Sequence, residues 1–138
     1  MSRSADYPLC EDVPDAAEYR ELRRRAGLAP KSAEAAALGL PNTLLAATVR
    51  DRGALVAMGR VVGDGGCNFQ IVDMAVHPDY QRQGLGTRIM QSLMTRLLAI
   101  APASAYISLV ADDHSPALYR KFGFEPVTPH SIGMARRL

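Results

Sequence analysis

The most informative stretch of the sequence is the loop Gln81-Arg82-Gln83-Gly84-Leu85-Gly86, which lies between an apolar, strand-like segment and a strongly periodic helix. A short glycine-bearing loop that opens a helix exposes several backbone N–H groups in the positive field of the helix N-terminus. Gly84 and Gly86 would let the backbone approach a ligand where a Cβ atom would obstruct it. The stretch therefore predicts a cradle for a phosphate group.

Three consecutive antiparallel strands are predicted upstream of this loop. Apolar β-type residues over 44–50 and 54–62 flank a turn at 51–53, which predicts a hairpin. The glycine-rich run 63–66 supplies a second tight turn before a strand over 67–76. Both faces of this third strand carry apolar residues, so we expect it to be central and covered on both sides.

Downstream of the loop, apolar residues recur at helical spacing and predict a helix over about 84–99 that packs on the sheet. A strand over 105–110 follows, and strand, helix and strand together predict a parallel, right-handed crossover. Ser115 as N-cap and Pro116 at the first helical position then begin a short helix that Gly123 ends. A final strand over 132–136 is expected to close the sheet.

Two further helices are predicted in the first forty residues. The pattern Asp15-x-x-Glu18 resembles a capping box and begins a helix over about 14–26. A shorter helix follows Pro30-Lys31-Ser32 and ends near Gly39. The basic run 23–25 is interpreted as the solvated end of the first helix, where the helix dipole favours cations, and it predicts no partner.

Composition indicates one domain over residues 1–138 and argues against several classes of function. The chain has 138 residues, of which 48% are hydrophobic, and can bury one core. A net charge of +2 is too small to favour nucleic-acid binding. The absence of a long apolar run and of CxxC spacing around Cys10 and Cys67 favours a soluble, reduced, cytoplasmic protein. The three histidines lack metal-ligand spacing, so no metal site is expected.

Three segments carry a resemblance to a known family. They are the strand residues 72–76, the loop Gln81-x-x-Gly84-x-Gly86, and the run Ala117-Leu118-Tyr119-Arg120-Lys121-Phe122-Gly123-Phe124. In this order they resemble the motifs of the GCN5-related N-acetyltransferase (GNAT) family, closely over 67–124 and diffusely in the first forty residues. The resemblance implies an α/β (α+β) fold with a mixed, mostly antiparallel sheet of about 6–7 strands, splayed in the middle and flanked by about 4 helices.

The resemblance also implies acetyl-CoA as co-substrate, without a metal, and a primary amine as acceptor. The pantetheine arm would lie in the splay, between the strand at 67–76 and the next strand, and the pyrophosphate would lie on the loop. The cofactor-binding residues that this implies are Met74, Ala75, Val76, Gln81, Arg82, Gln83, Gly84, Leu85, Gly86, Thr87, Asp112 and Ser115. Asp112 departs from the asparagine that is common in the family, and Asp113, His114 or Ser115 could compensate.

Two residues are candidates for catalysis. Tyr119 matches the family's tyrosine near the thioester sulfur, where its hydroxyl could protonate the departing thiolate, although it could also be a core residue of its helix. Asp73 lies on an apolar strand, so its carboxylate must be paired, hydrogen-bonded or neutral. It is either the general base or a structural hydrogen-bond acceptor, and His114 is a second candidate for proton transfer.

The acceptor is the least determined part of the prediction. Its pocket is expected to involve the first helices, residues 39–43 and residues 126–133. Small amines, such as aryl-alkyl amines or polyamines, are favoured, and Glu18, Glu21 and Glu34 could attract a cationic amine. A peptide or protein amine and a non-catalytic CoA-binding module are the alternatives. The protein is expected to be a monomer or homodimer that binds no nucleic acid and no membrane.

Overall fold

The computed structural model describes residues 7–112 and 115–138, in which five strands and four α-helices follow one another. In chain order they are β1 (Leu9–Cys10), α1 (Ala16–Arg25), α2 (Ala33–Gly39), β2 (Leu45–Asp51), β3 (Ala54–Gly63), β4 (Asn68–Val76), α3 (Leu85–Ile100), β5 (Tyr106–Leu109) and α4 (Pro116–Arg120). Short 3-10 turns lie at Leu40–Asn42 and Pro78–Tyr80. The predicted helices and the first strands are confirmed to within a few residues at each end.

The five strands form one sheet in the order β1-β2-β3-β4-β5. The first three pairings are antiparallel, and β4 pairs with β5 in parallel after the crossover through α3. This mixed, mostly antiparallel α/β architecture with four helices confirms the predicted fold class. The sheet of the described residues has fewer strands than the expected 6–7.

The predicted final strand over 132–136 is wrong. Residues 131–138 have no regular secondary structure, and all side chains from 125 to 138 are exposed. Alternating apolar residues favour a strand only where a partner strand is available to accept its backbone hydrogen bonds. Here Ile132 and Met134 retain the alternating pattern but project into solvent.

Helices cover both faces of the sheet, which explains why β4 is apolar on both sides. On one face α3 packs through a buried stripe that includes Ile89 and Leu93, and on the other α1 packs through Tyr19 and Leu22. Gly59 of β3 allows the close approach of α3. A Cβ atom there would lie only 2.7 Å from Ile89 Cγ2 and 3.1 Å from Leu93 Cδ1.

The capping box predicted for α1 is present in both directions. The backbone N–H of Glu18 donates to Asp15 Oδ1 at 2.9 Å, and the backbone N–H of Asp15 donates to Glu18 Oε2 at 2.9 Å. These bonds satisfy two N–H groups near the helix start that have no acceptor within the helix. The start of α1, and hence its packing on the sheet, is therefore encoded locally.

Three further observations concern membrane-spanning helices, metal-binding clusters and the two cysteines. Within residues 7–112 and 115–138, no helix combines the length and the apolar content that crossing a membrane would require. The same residues contain no cluster of three or more histidine, cysteine or acidic side chains suited to a metal ion. Cys10 and Cys67 are free, exposed thiols.

Candidate active site

A β-bulge in β4 shapes the site. The β3–β4 register shifts between Met58 and Arg60, so that two residues of β4, Asp73 and Met74, face the single residue Gly59. Asp73 has a φ of 59°, a left-handed conformation that aspartate tolerates better than most residues. The bulge turns the Asp73 side chain toward α1, while Met74 packs with the cluster beneath α3.

The bulge coincides with the end of pairing between β4 and β5. Their parallel ladder runs from Asn68 and Tyr106 to Ile71 and Leu109, and β4 continues for five residues beyond it. The edge of β4 over 72–76 thus faces a gap rather than the neighbouring strand. This gap is the splay that the resemblance implied.

The gap opens into a first cleft of about 790 Å³, large enough for an extended ligand. It is lined by Ala26, Leu28, Met74, Ala75, Val76, Gln81, Arg82, Gly86, Asp112, Ser115, Leu118 and Tyr119. Eight of the twelve cofactor-binding residues suggested by the sequence are among them. The other four, Gln83, Gly84, Leu85 and Thr87, belong to the loop and first turn that form the wall of the cleft.

The conformation of the loop is that of an anion cradle. Arg82 and Gly84 both adopt positive φ, 63° and 80°, and these two turns direct the chain into α3 at Leu85. The backbone N–H groups of the first helical turn have no acceptor within the helix. Gln81 Nε2 donates to the carbonyl of Val76 at 3.1 Å and ties the loop to the end of β4.

The space at Gly86 is a further detail that fits an anionic group at this loop, whereas the side-chain oxygen of Gln83 is an acceptor and offers an anion no hydrogen bond. Gly86 lines the cleft, and a Cβ atom there would lie 3.4 Å from Leu118 Cδ2, so a side chain would narrow the space above the first turn. Gln83 Oε1 is buried and has no hydrogen-bond partner within the described residues. Leu85 could contribute to such a site only through its backbone, because its side chain is buried in the core.

A second cleft of about 290 Å³ lies on the other side of the bulge. It is lined by Arg23, Leu28, Gln70, Ile71, Val72, Asp73, Met74, Leu109, Val110, Asp112 and Tyr119. The residues that line both clefts, and beside which two ligands could meet, are Leu28, Met74, Asp112 and Tyr119. Residues 126–133, expected to contribute to an acceptor pocket, line neither cleft.

Tyr119 lies where the two clefts join. Its side chain is buried, and this burial raises the pKa of its hydroxyl above the usual value. The Ser115 hydroxyl opposes the increase and the Asp112 carboxylate adds to it. The phenol therefore retains its proton at neutral pH and is available as a proton donor.

Ser115 and Asp112 line the first cleft beside Tyr119. Ser115 occupies the N-cap position of α4, as predicted, but its hydroxyl donates to the carbonyl of Asp112 at 3.0 Å instead of capping the helix. It thereby fixes the turn that brings Asp112 to the cleft. Asp113 and His114, the other residues considered at this position, lie outside the described residues.

The Asp73 carboxylate is held by three side chains. Arg23 Nη1 donates to Oδ1 at 2.5 Å, whereas Arg60 Nε and the Tyr19 hydroxyl donate to Oδ2 at 2.8 and 3.0 Å. The side chains of Asp73, Arg23 and Arg60 are 6%, 9% and 10% exposed. We call these four residues the Asp73 cluster; it joins α1, β3 and the bulge of β4.

The contacts of the cluster favour the structural alternative for Asp73. Both carboxylate oxygens already accept a charge-assisted hydrogen bond from a guanidinium, so both are engaged in holding α1 and β3 to the bulge. Burial, followed by the neighbouring Asp73 charge, raises the pKa of Tyr19, so this phenol remains a donor. Arg60 Nη1 also donates to Thr43 Oγ1 at 2.6 Å, which extends the network toward α2.

The interpretation of Arg23 as a solvated residue was wrong. Arg23 is buried, and its Nε and Nη2 both donate to the carbonyl of Ala29, at 3.0 and 2.6 Å. Its neighbours Arg24 and Arg25 do pair with Glu21 at the surface, as expected for a helix end. Arg23 differs from Arg24 and Arg25 because it alone of the three lies on the face of α1 that packs against the sheet.

Sequence reasoning also missed Arg60 and Tyr19 as partners of Asp73. The only signal in the sequence was a charged residue in each of two apolar strands, Arg60 in β3 and Asp73 in β4. Two isolated, opposite charges in neighbouring central strands are expected to pair, because an unpaired buried charge is costly. That rule would have found this ion pair, although not its link to α1.

A strand with a bulge beside a glycine loop, opening into two joined clefts, is an arrangement in which two ligands could be brought together. The model of the acetyltransferase (GNAT) domain matches residues 42–126 of the chain. The chain therefore belongs to the GNAT acetyltransferase family.

Solved structures and curated relatives agree with this assignment. The chain is similar to a probable acetyltransferase of unknown function from meticillin-resistant Staphylococcus aureus, with 45% identity, a TM-score of 0.92, and coverage of 96% of this chain and 99% of that one. It is also similar to the Escherichia coli ribosomal-protein-S18-alanine N-acetyltransferase structure, with 25% identity, a TM-score of 0.72, and coverage of 88% and 79%.

The curated relatives match over a shorter stretch. An uncharacterized N-acetyltransferase of Porphyra purpurea is 37% identical over 70 residues, which make up 51% of this chain and 39% of that protein. The Escherichia coli ribosomal protein bS18-alanine N-acetyltransferase is 37% identical over 76 residues, or 54% of this chain and 49% of that protein. The match therefore spans less than half the length of these relatives.

Proposed function

We propose that the protein transfers the acetyl group of acetyl-CoA to a primary amine by direct attack of the amine on the thioester. The observation that carries this proposal is the meeting of two clefts at Tyr119, a buried phenol. The volume of the first cleft, about 790 Å³, and the anion cradle on its wall support CoA as the ligand there. The second is small and reaches the same tyrosine from the opposite side of the bulge.

The first cleft would bind the donor mainly through backbone groups. The N–H groups at the start of α3 would hold the pyrophosphate, and Gln81 and Arg82 could add side-chain contacts. The unpaired edge of β4 at Met74 and Val76 would pair with the pantetheine amides as an added strand does. Asp112 and Ser115 would contact the pantetheine arm from the wall opposite β4.

The transfer requires three proton movements and a place for negative charge. The amine must lose a proton before its nitrogen attacks the thioester carbonyl, since an ammonium group has no lone pair. A backbone N–H at the bulge would stabilise the negative oxygen of the tetrahedral intermediate. When the C–S bond breaks, Tyr119 would protonate the thiolate, and the attacking nitrogen would lose a further proton that restores the phenol, so the products would be the N-acetylated amine and free CoA.

The proton acceptor is proposed to be water rather than Asp73. The three hydrogen bonds that Asp73 accepts support a positioning role, in which the cluster holds the bulge open toward the clefts. Asp73 as general base stays the competing hypothesis. His114, the remaining candidate, lies outside the described residues.

A small amine with an apolar body is the favoured acceptor. The second cleft measures only about 290 Å³, and Leu28, Leu109 and Val110 give it an apolar wall. This lining suits an aryl-alkyl amine better than a polyamine. Two of the carboxylates considered for a polyamine are already engaged, because Glu18 pairs with Arg50 and Glu21 with Arg24.

A peptide or protein amino terminus is the second candidate acceptor. It is supported by the similarity to the Escherichia coli enzyme whose name specifies a ribosomal protein alanine as substrate. A cleft open to one side could accept the first residue of a chain while the remainder stays outside. The two candidates differ in whether a free amine or a peptide is acetylated.

The test is the release of CoA thiol from acetyl-CoA in the presence of aryl-alkyl amines, polyamines and alanine-terminated peptides, with products identified by mass spectrometry. We expect thiol release that depends on the amine and an acetylated product 42 Da heavier than the acceptor, a mass set by the acetyl group. Binding of acetyl-CoA without amine-dependent thiol release would instead identify a non-catalytic CoA-binding module.

A further inference from the structure

Leu28 is the residue at the junction of the clefts to which the proposed reaction gives no role. Of the other three residues that line both clefts, Tyr119 would protonate the thiolate and Asp112 would contact the pantetheine arm. Met74 packs its sulfur against Gly59 of β3, where a Cβ atom would lie 2.5 Å from it. Leu28 is partly buried and borders the junction from the loop that follows α1.

The loop that carries Leu28 is held to α1 by hydrogen bonds at three residues. The backbone N–H of Leu28 donates to the carbonyl of Arg23 at 2.9 Å. The guanidinium of Arg23 donates twice to the carbonyl of Ala29, at 3.0 and 2.6 Å, and Arg20 Nε donates to the carbonyl of Lys31 at 2.9 Å. The loop cannot move outward without breaking these bonds, so Leu28 forms a wall of fixed position.

We propose that Leu28 limits the length of the acyl group that the protein transfers, so that acetyl is accepted and longer straight chains are excluded. The inference rests on the proposed function, because direct attack requires the thioester carbonyl to lie where the two clefts meet. Carbon atoms beyond the acetyl methyl must then share this junction with Leu28 and the incoming amine. Extra methylene groups pressed against a fixed wall are destabilising.

The course of the loop supports a role toward the donor rather than toward the acceptor alone. Ala26, which precedes Leu28 in the loop, lines the first cleft and not the second. Leu109 and Val110 line the second cleft and not the first, and they lie at the end of β5. Leu28 therefore continues the wall of the donor cleft up to the point where the acceptor cleft begins.

The first test measures binding and requires no turnover. Isothermal calorimetry gives the dissociation constants of acetyl-CoA, propionyl-CoA and butyryl-CoA for the unmodified protein, Leu28→Val and Leu28→Ala. We expect the unmodified protein to bind butyryl-CoA about 10-fold or more weakly than acetyl-CoA, since one misfitting methylene already costs about 10-fold. In Leu28→Ala the two constants should agree within about 3-fold. The milder Leu28→Val should relax the limit for propionyl-CoA and keep it for butyryl-CoA.

The second test measures transfer from the same three donors, with phenethylamine as the acceptor and release of CoA thiol as the signal. The ratio of kcat/KM for acetyl-CoA to that for butyryl-CoA should be about 100-fold in the unmodified protein and about 10-fold or less in Leu28→Ala. Val110→Ala widens the second cleft alone and should leave this ratio unchanged. Leu38→Ala, which truncates a leucine that is 67% exposed on α2, is the control for the same substitution away from both clefts.

The outcomes separate this proposal from the proposed function. Equal affinity of the unmodified protein for acetyl-CoA and butyryl-CoA would overturn the limit set by Leu28 and leave acetyl transfer intact. Unchanged donor ratios in Leu28→Ala and Leu28→Val, both folded by circular dichroism, or the same shift in Val110→Ala, would do so as well. Affinities that follow residue 28 without amine-dependent thiol release would support Leu28 as the length limit and overturn the transfer reaction. Failure to bind any of the three donors would overturn both.

Discussion

The first and second clefts meet at one tyrosine but are built from different kinds of group. The first is formed by backbone geometry: two residues of positive φ in the loop, the start of α3, and the unpaired edge of β4. The second depends on side chains, above all the Asp73 cluster, whose other members lie 13 to 54 residues from Asp73 along the chain.

This difference determines which substitutions should disrupt each cleft. A backbone cradle tolerates most side-chain changes and is vulnerable only where a glycine conformation is required. A cluster of buried charges is vulnerable at every member, because removing one leaves the others unpaired in a poorly solvated position. Substitutions should therefore separate donor binding from the integrity of the bulge.

The largest effect is expected at the loop. Gly84→Val forces a β-branched residue into a φ of 80°, which that residue avoids, so the loop must change conformation. Loss of two or more backbone hydrogen bonds to a charged group should weaken acetyl-CoA binding by about 1,000-fold. Isothermal calorimetry measures this directly.

Gly53→Val is the matched control for that experiment. Gly53 has a φ of 84° in the turn between β2 and β3, away from both clefts. The same backbone strain should lower its unfolding temperature while acetyl-CoA affinity stays close to that of the unmodified protein. Near-normal affinity in Gly84→Val would contradict the role of the loop.

The next effect is expected in the Asp73 cluster. Arg23→Gln removes one guanidinium from a buried carboxylate, and breaking such a pair should cost about 3 kcal/mol of unfolding free energy. Urea unfolding gives this value. Arg24→Gln, one residue further on, removes an exposed pair with Glu21 and should leave the denaturation midpoint unchanged. Equal effects of the two substitutions would show that the cluster does not stabilise the bulge.

The contrast between the clefts also explains what the sequence could predict. The loop, the helix it opens and the strand before it are consecutive, so their glycines and apolar periods indicate both the cradle and the crossover. The helices of the first forty residues were predicted equally well, because the Asp15 and Glu18 capping box is local. These features require only short-range information.

Features that depend on distant partners were not predictable in this way. Arg23, Arg24 and Arg25 are identical in sequence character, and only the packing of α1 on β4 decides that the first of them is buried. The pattern of residues 132–136 is that of a strand, yet these residues have no partner strand in the sheet that the described residues form. The acceptor is undetermined for the same reason, since the second cleft is assembled from separate parts of the chain.

A third effect concerns the point where the clefts meet. Tyr119→Phe should lower kcat by about 100-fold, the lower range for general-acid catalysis, while acetyl-CoA affinity changes little. Tyr106→Phe, which removes an exposed hydroxyl from β5, is the control and should retain full turnover. An unchanged kcat in Tyr119→Phe would exclude the proposed proton donor.

The same tyrosine should determine the alkaline limit of activity. A general acid works only while protonated, so the rate should fall as the pH rises through its pKa. Because burial raises the pKa of Tyr119, this fall should lie above the ordinary tyrosine value of about 10. The rate of Tyr119→Phe, already low, should lack this fall, which a pH–rate profile of kcat measures.

The smallest change is expected in the pH dependence of Asp73→Asn. Asparagine tolerates the left-handed backbone and keeps one oxygen for hydrogen bonding, so the bulge should persist in weakened form. If Asp73 positions the bulge, kcat falls while the shape of the pH–rate profile is unchanged. A general base must be ionised, so in that case the unmodified enzyme loses activity as the pH falls and the base becomes protonated, and this acidic limb disappears in the asparagine variant. Asp112 is the other carboxylate that lines the second cleft. The pH–rate profile of Asp112→Asn therefore shows whether an acidic limb belongs to Asp73 or to Asp112.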